Sequence, residues 1–257
     1  GQGVFDAEGN IEALEGIIID ITDRKQHELQ LKLISEIDLI TGLPNRRALE
    51  GAIAQNGKNG RAEGALVLFN LRRINIINST YGYSFCESLL RTLTERLYKH
   101  CSEQVRLFQV AYGRFAFYIT KSLALEELIE FSDAVIATFK EMAILNSCGC
   151  GIGIRVIEPG DDQPETLIQN ATVAAERADD TKPFACRFFD LELSAEIERQ
   201  GKIEDLLLNI AQGGADDILF LEFQPILNPR ARKIHGFEAL ARLEGGELGV
   251  IPPGEFI

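Results

Sequence analysis

QVAYGRFAFYIT, residues Gln109–Thr120, is the stretch on which the fold turns. With its approach, Val105–Phe108, it gives two runs rich in β-branched and aromatic residues, separated by Ala111-Tyr112-Gly113-Arg114. That is the pattern of two strands joined by a tight turn, with a glycine free to take positive φ. Working outward, Ala65–Leu71 (ALVLFNL) reads as a buried strand and Ser147–Val156 as an alternating one. Helical spacing recurs between and after them: Phe85, Leu89, Leu90, Leu93 and Leu97; Ala124–Leu145; Pro164–Ala178; and Leu191–Ala211, which Gly213-Gly214 stops. The order of elements predicts layered α/β packing around one sheet.

The 257 residues are 46% apolar and 25% charged, which describes a globular chain with material for a sizeable core. A net charge of −13 argues against nucleic acid and anionic membrane surfaces as partners, because phosphates are gripped mainly through Lys and Arg. The five cysteines are odd in number and lack metal-ligand spacing; Cys148 and Cys150, two apart, would share one strand face as buried thiols. A reducing cytoplasm fits this usage. No apolar run is long enough to insert into a membrane and no signal peptide is visible. The chain starts at Gly1 without methionine and stops in PPGEFI, as expected of a piece of something longer.

Three motifs together resemble the GGDEF family of diguanylate cyclases: DLITGLPNRR at Asp38–Arg47, the hairpin, and NATVAAERAD at Asn170–Asp179. In the first, Thr41–Asn45 is a turn leading into a helix capped by Asn45. Ala111, Tyr112, Gly113, Arg114 and Phe115 stand in the five signature positions, and only Phe115 matches. A two-metal phosphoryl-transfer site needs carboxylates to hold its cations. Here the acidic third and fourth positions are Gly113 and Arg114, Asn70 stands where the family has a metal-binding aspartate, and Arg72 replaces a second acid. Asn75 takes the usual lysine position, and the later phosphate-binding lysine and arginine fall at Asp179 and Pro183, with Lys182 out of register. Ser102 and Val105 occupy the RxxD inhibitory site. The resemblance thus implies a degenerate domain with a nucleotide-cyclase-like, mostly antiparallel central sheet flanked by helices, no catalytic residues and no product feedback.

Two further positions keep binding chemistry. Asn78 matches the asparagine that hydrogen-bonds guanine in active members, and Glu87 keeps a carboxylate where the family has its partner aspartate. An amide and a carboxylate together satisfy a guanine edge, which makes GTP a candidate regulatory ligand. The same Glu87 also reads as the end of an S-x-x-E capping box from Ser84.

The flanks carry their own resemblances. Gly3–Lys25, with a turn signal at Asp6–Asn10, a β-rich run at Leu14–Ile21 and the Asp20-Ile21-Thr22 ending, resembles the last hairpin of a PAS sensor domain. Thr22 or Asp23 then suits a helix N-cap, and Leu29, Leu33, Ile34 and Ile37 predict a linker helix that rests on the next domain or pairs with its twin in a homodimer. Phe223-Gln224-Pro225-Ile226 and Gly236–Arg242, which contains Glu238-Ala239-Leu240, resemble the opening of an EAL phosphodiesterase. That family implies Glu238 as a metal ligand and Gln224 and Arg242 as contacts to metal or substrate. On one strand, Glu238 and Arg242 would lie ~13 Å apart, suited to a cation and a more distant phosphate.

A complete TIM-like barrel needs roughly 250 residues, so Ile218–Ile257 is its truncated start. No cofactor is expected in the chain as given; a complete EAL domain would use Mg or Mn to hydrolyse cyclic di-GMP to linear pGpG. The expected organisation is a PAS tail at 1–22, a linker helix at 23–37, a degenerate GGDEF domain at 38–190, an inter-domain helix and linker at 191–217, and the EAL fragment at 218–257. The function it implies is a cyclase-inactive regulator of a downstream phosphodiesterase. The alternatives are a dimerisation and interaction scaffold, a cyclic di-GMP receptor, or residual cyclase activity.

Overall fold

The computed structural model describes residues 2–5, 10–15, 20–22, 25, 35–58, 63–161, 163–214, 218–230 and 232–257. The chain divides into two compact units, Gly1–Arg187 and Phe188–Ile257. The first begins with an antiparallel pair, β1 (Gln2–Phe5) and β2 (Ile11–Glu15); most of the turn signalled at Asp6–Asn10 lies outside the described residues. Past it, the Thr22 amide donates to Asp20 Oδ1 at 2.8 Å. The expected linker helix, with Leu29, Leu33 and Ile34, lies outside the described residues, and so does the dimer contact expected of it.

A five-stranded sheet of order β4-β5-β3-β6-β7 forms the centre of the unit. Its strands are β3 (Gly64–Leu71), β4 (Val105–Ala111), β5 (Arg114–Ile119), β6 (Cys150–Ile157) and β7 (Phe184–Phe188). The pairs β3–β5, β3–β6 and β4–β5 are antiparallel. Strand β3 lies in the middle, and its near-continuous apolar run is what burial on both faces demands.

On one face, Leu66 and Leu68 of β3 pack with Leu49 and Ile53 of α1 (Arg46–Lys58) and with Leu167 and Ala171 of α6 (Pro164–Glu176). On the other, Phe69 stacks on Phe139 of α4 (Leu125–Lys140) with centroids 5.5 Å apart and meets Phe117 edge-on at 5.9 Å. Helix α6 lies close against β6 because Gly151 and Gly153 carry no side chain; a Cβ at either would collide with the carbonyl oxygen of Ala175 or Ala171. Helix α1 starts as its sequence predicts, with Asn45 Oδ1 accepting from the Ala48 amide at 3.2 Å.

Three expectations need correction. The apolar spacing over Ala124–Leu145 does not make one helix: α4 ends at Lys140, Met142 is extended, and α5 (Ala143–Cys148) follows. Cys148 ends α5 while Cys150 opens β6, so the two do not share a strand face, although both are buried. The Ser84–Glu87 capping box does not form either. Helix α2 (Ile74–Tyr81) is followed by α3 (Tyr83–Leu97), whose N-cap is Gly82 without a side-chain bond; Ser84 is already inside the first turn.

The second unit holds α7 (Leu191–Ala211), capped by Asp190 Oδ1 accepting from the Leu193 amide at 2.8 Å. Strands β8 (Leu219–Asn228), β9 (Lys233–Glu244) and β10 (Val250–Ile251) form an antiparallel sheet of order β10-β9-β8, and α8 (Pro253–Phe256) ends the chain. Ile203, Leu243 and Ile251 are the buried centre of this unit, and Arg199 Nε meets Glu255 Oε2 at 2.7 Å. Among the described residues no helix is long and apolar enough to cross a membrane.

Candidate functional site

The signature segment folds as the hairpin predicted, with Ala111 ending β4, Tyr112 and Gly113 in the turn, and Arg114 and Phe115 opening β5. Gly113 has φ +71°, and its carbonyl accepts from the Leu71 amide at 2.9 Å, fastening the turn to the end of β3. A Cβ at Gly113 would sit 2.9 Å from Ile74 Cγ2, so an acidic side chain there would meet both strain and a clash. Asn70 lies directly beside Arg114 on one side and Gly151 on the other.

The two arginines at this edge are both engaged by the end of α6. Arg114 Nη2 reaches Glu176 Oε1 at 2.7 Å. Arg72 donates from Nη1 to the Lys182 carbonyl at 2.9 Å and from Nη2 to the carbonyls of Ala178 and Asp179 at 2.9 and 3.0 Å. A guanidinium fork suits the unpaired carbonyls past a helix C-terminus. Lys182 Nζ, for its part, lies 3.2 Å from Asp179 Oδ2. Hydrogen bonds from Thr181, and after them the lysine, hold the Asp179 carboxyl below its ordinary value.

The donor set at the positions where the family's cations would bind is therefore an amide (Asn70), a bare backbone (Gly113) and two guanidinium groups (Arg72, Arg114). This set has two cations and no carboxylate, a poor match to divalent metal ions, whose sites are built largely on carboxylate oxygens. Among the described residues, no group of three or more His, Cys, Asp or Glu side chains is placed to hold a metal. A pocket of about 140 Å³ nearby is lined by Arg72, Arg73, Cys148 and Lys182 together with the acidic Asp180.

Asn78 lies on α2 and Glu87 on α3, both half-buried, and the Asn78 carbonyl accepts from the Gly82 amide at 2.9 Å. With no capping box, the Glu87 carboxylate is not spent on the helix N-terminus. Tyr112, from the turn, comes to this helix: its ring runs parallel to that of Tyr83, with centroids 6.3 Å and planes 7° apart. Burial, helped by Cys86, Tyr83 and Glu87, pushes its phenol up to about 12. Sequence reasoning gave Tyr112 no role beyond a lost glycine. At the family's inhibitory positions, Ser102 and Val105 pair with each other in a tight turn, amide to carbonyl at 3.0 and 3.3 Å.

In the second unit, Gln224 and Glu238 are direct cross-strand partners, so their side chains share a face. Arg242 lies further along that face, with Nε 2.7 Å from Glu222 Oε2. All three residues singled out from the sequence thus stand on one side of the β8–β9 pair. This face carries two carboxylates, Glu238 and Glu222, of which Glu222 is engaged by Arg242.

Several known proteins resemble the chain. Cyclic di-GMP phosphodiesterase PdeR of Escherichia coli is 26% identical over 251 residues, covering 93% of this chain and 36% of that protein. Cyclic di-GMP phosphodiesterase NbdA of Pseudomonas aeruginosa is 25% identical over 234 residues, covering 88% of this chain and 29% of that one. The chain spans about a third of the length of the curated relatives it matches. Among solved structures, the S helix-GGDEF-EAL portion of LapD from Vibrio cholerae, bound to c-di-GMP, aligns with a TM-score of 0.58 at 13% identity, over 88% of this chain and 53% of that one. The GGDEF domain of YfiN from Pseudomonas aeruginosa aligns with a TM-score of 0.55 at 20% identity, over 63% of this chain and 99% of that one. Both share the fold. Residues 35–183, more than half of the chain, match the family described as Diguanylate cyclase, GGDEF domain, and the chain belongs to that family.

Proposed function

We propose that the GGDEF domain is a non-catalytic regulatory module of a cyclic di-GMP signalling protein, placed between the tail of a PAS sensor and the start of an EAL phosphodiesterase that it controls. The observation that supports this reading is the pair Arg72 and Arg114, which stand at sequence positions where the resemblance expects acidic residues and whose guanidinium groups are tied to the end of α6. Two fixed positive charges repel divalent ions, and without them the charge that builds on a transferring phosphoryl group goes unneutralised. The shared face of Gln224, Glu238 and Arg242 supports the EAL part. In a complete EAL domain, Glu238 would serve with further carboxylates to hold Mg or Mn, which would polarise the phosphodiester. The names of PdeR and NbdA, both cyclic di-GMP phosphodiesterases, point the same way. GTP as a regulatory ligand would have to enter at Asn78 and Glu87.

The test is product formation. Incubated with GTP and Mg²⁺, the chain is expected to make no cyclic di-GMP detectable by chromatography, and accumulation of that product would overturn the reading.

A further inference from the structure

We propose that Tyr112 is a built-in occupant of the cleft between the signature hairpin and helix α3, closing to guanine nucleotide the space that Asn78 and Glu87 would otherwise offer a base. The inference rests on the proposed reading of this cleft as a base site, and it adds that the chain keeps the site shut by its own side chain.

Tyr83 and Glu87 are one turn apart on α3 and therefore share a face. Tyr112 lies on that face. Its ring parallels Tyr83, its hydroxyl lies beside the Cys86 thiol, and Glu87 is near enough for its charge to act on the phenol. A planar aromatic group next to a carboxylate is the arrangement that a stacked guanine with its edge on Glu87 would adopt, and the tyrosine ring already has the stacking position.

The hydroxyl is buried with only the weakly bonding Cys86 thiol beside it, so ring packing against Tyr83, more than any strong hydrogen bond, holds Tyr112 in place. The groups that would read a base are left idle: the side chains of Asn78 and Glu87 make no hydrogen bond or ion pair among the described residues. Gly113 contributes as well, because its positive φ and its carbonyl bond to the Leu71 amide fix the turn from which Tyr112 projects.

Calorimetric titration of the full chain with GDP in excess EDTA tests this without any demand on metal or turnover. The wild type and Tyr112→Phe, which keeps the ring, are expected to give no saturable heat up to millimolar ligand. Tyr112→Ala should bind at least about ten-fold more tightly, since the fraction of open clefts multiplies the apparent affinity. Glu87→Ala in the Tyr112→Ala background should abolish the gain. If Tyr112→Ala fails to fold by circular dichroism, Tyr83→Ala loosens the same stack from the helix side and must show the gain instead.

Binding by the wild type as tight as by the alanine variant would overturn the proposal, and so would a folded alanine variant that binds nothing. Cyclic di-GMP synthesis, read separately with GTP and Mg²⁺, would sink the non-catalytic reading and leave the GDP titration to decide the role of Tyr112.

Discussion

Strand β3, GALVLFNL, is buried almost end to end, whereas strand β8, LFLEFQPILN, is exposed along all but Asn228. Both are apolar enough to be core strands. What separates them is company: β3 has β5 and β6 on its two edges and helices over both faces, while β8, among the described residues, pairs with β9 as its one strand neighbour. Apolar sequence gives a strand the capacity to be buried, and its neighbours decide whether that capacity is used. The same residue type should therefore have very different energetic weight in the two units.

Phenylalanine gives the largest expected contrast. Phe69→Ala removes a fully buried ring from between Phe117 and Phe139 and should lower the unfolding free energy of the first unit by about 3–5 kcal/mol. Phe223→Ala, at a ring that is 63% exposed, should change stability by no more than about 0.5 kcal/mol. Urea denaturation of both variants decides the matter, and equal costs would break the comparison.

Arginine sharpens it. Arg72→Ala leaves three carbonyl oxygens past α6 without their donor and should cost about 1–3 kcal/mol, visible as a lower midpoint in thermal melting. A smaller effect than at Arg72 is expected from Arg242→Ala, which breaks an ion pair with the exposed Glu222 and should cost less than about 1 kcal/mol in the same melting experiment. A loss at Arg242 as large as that at Arg72 would mean that the β8–β9 face is more desolvated than its exposure indicates.

Much of this architecture was legible in the sequence wherever the signal was local. The hairpin followed from the glycine between two β-rich runs, the central strand from the unbroken apolar run at Ala65–Leu71, and the start of α1 from Asn45. The break at Met142 was not legible, because apolar residues keep helical spacing straight across it. The capping box failed for a related reason: Ser84 and Glu87 have the right spacing, but the helix begins at Tyr83, ahead of them.

For the candidate site, motif positions singled out Asn78, Glu87, Gln224, Glu238 and Arg242 as expectations, and the fold places the last three on one strand face. Two features that matter most at the hairpin have no local signature. The bonds of Arg72 to Ala178, Asp179 and Lys182 join segments far apart in the chain, although an arginine at a strand end is the kind of residue that a helix C-terminus attracts. The inward turn of Tyr112 depends on where α3 passes, and nothing in AYGRF specifies that.

The bare stretch of β6 has one more consequence. Because Gly151 and Gly153 leave nothing between strand and helix, the height of α6 above the sheet is set by backbone meeting backbone, with no side chain to yield. Glu176 and the three carbonyls that grip the arginines ride on that helix and on the segment leaving it. One methyl group added beneath α6 would raise the whole assembly like a shim under a rail, shifting charges at the hairpin that the added atom never touches.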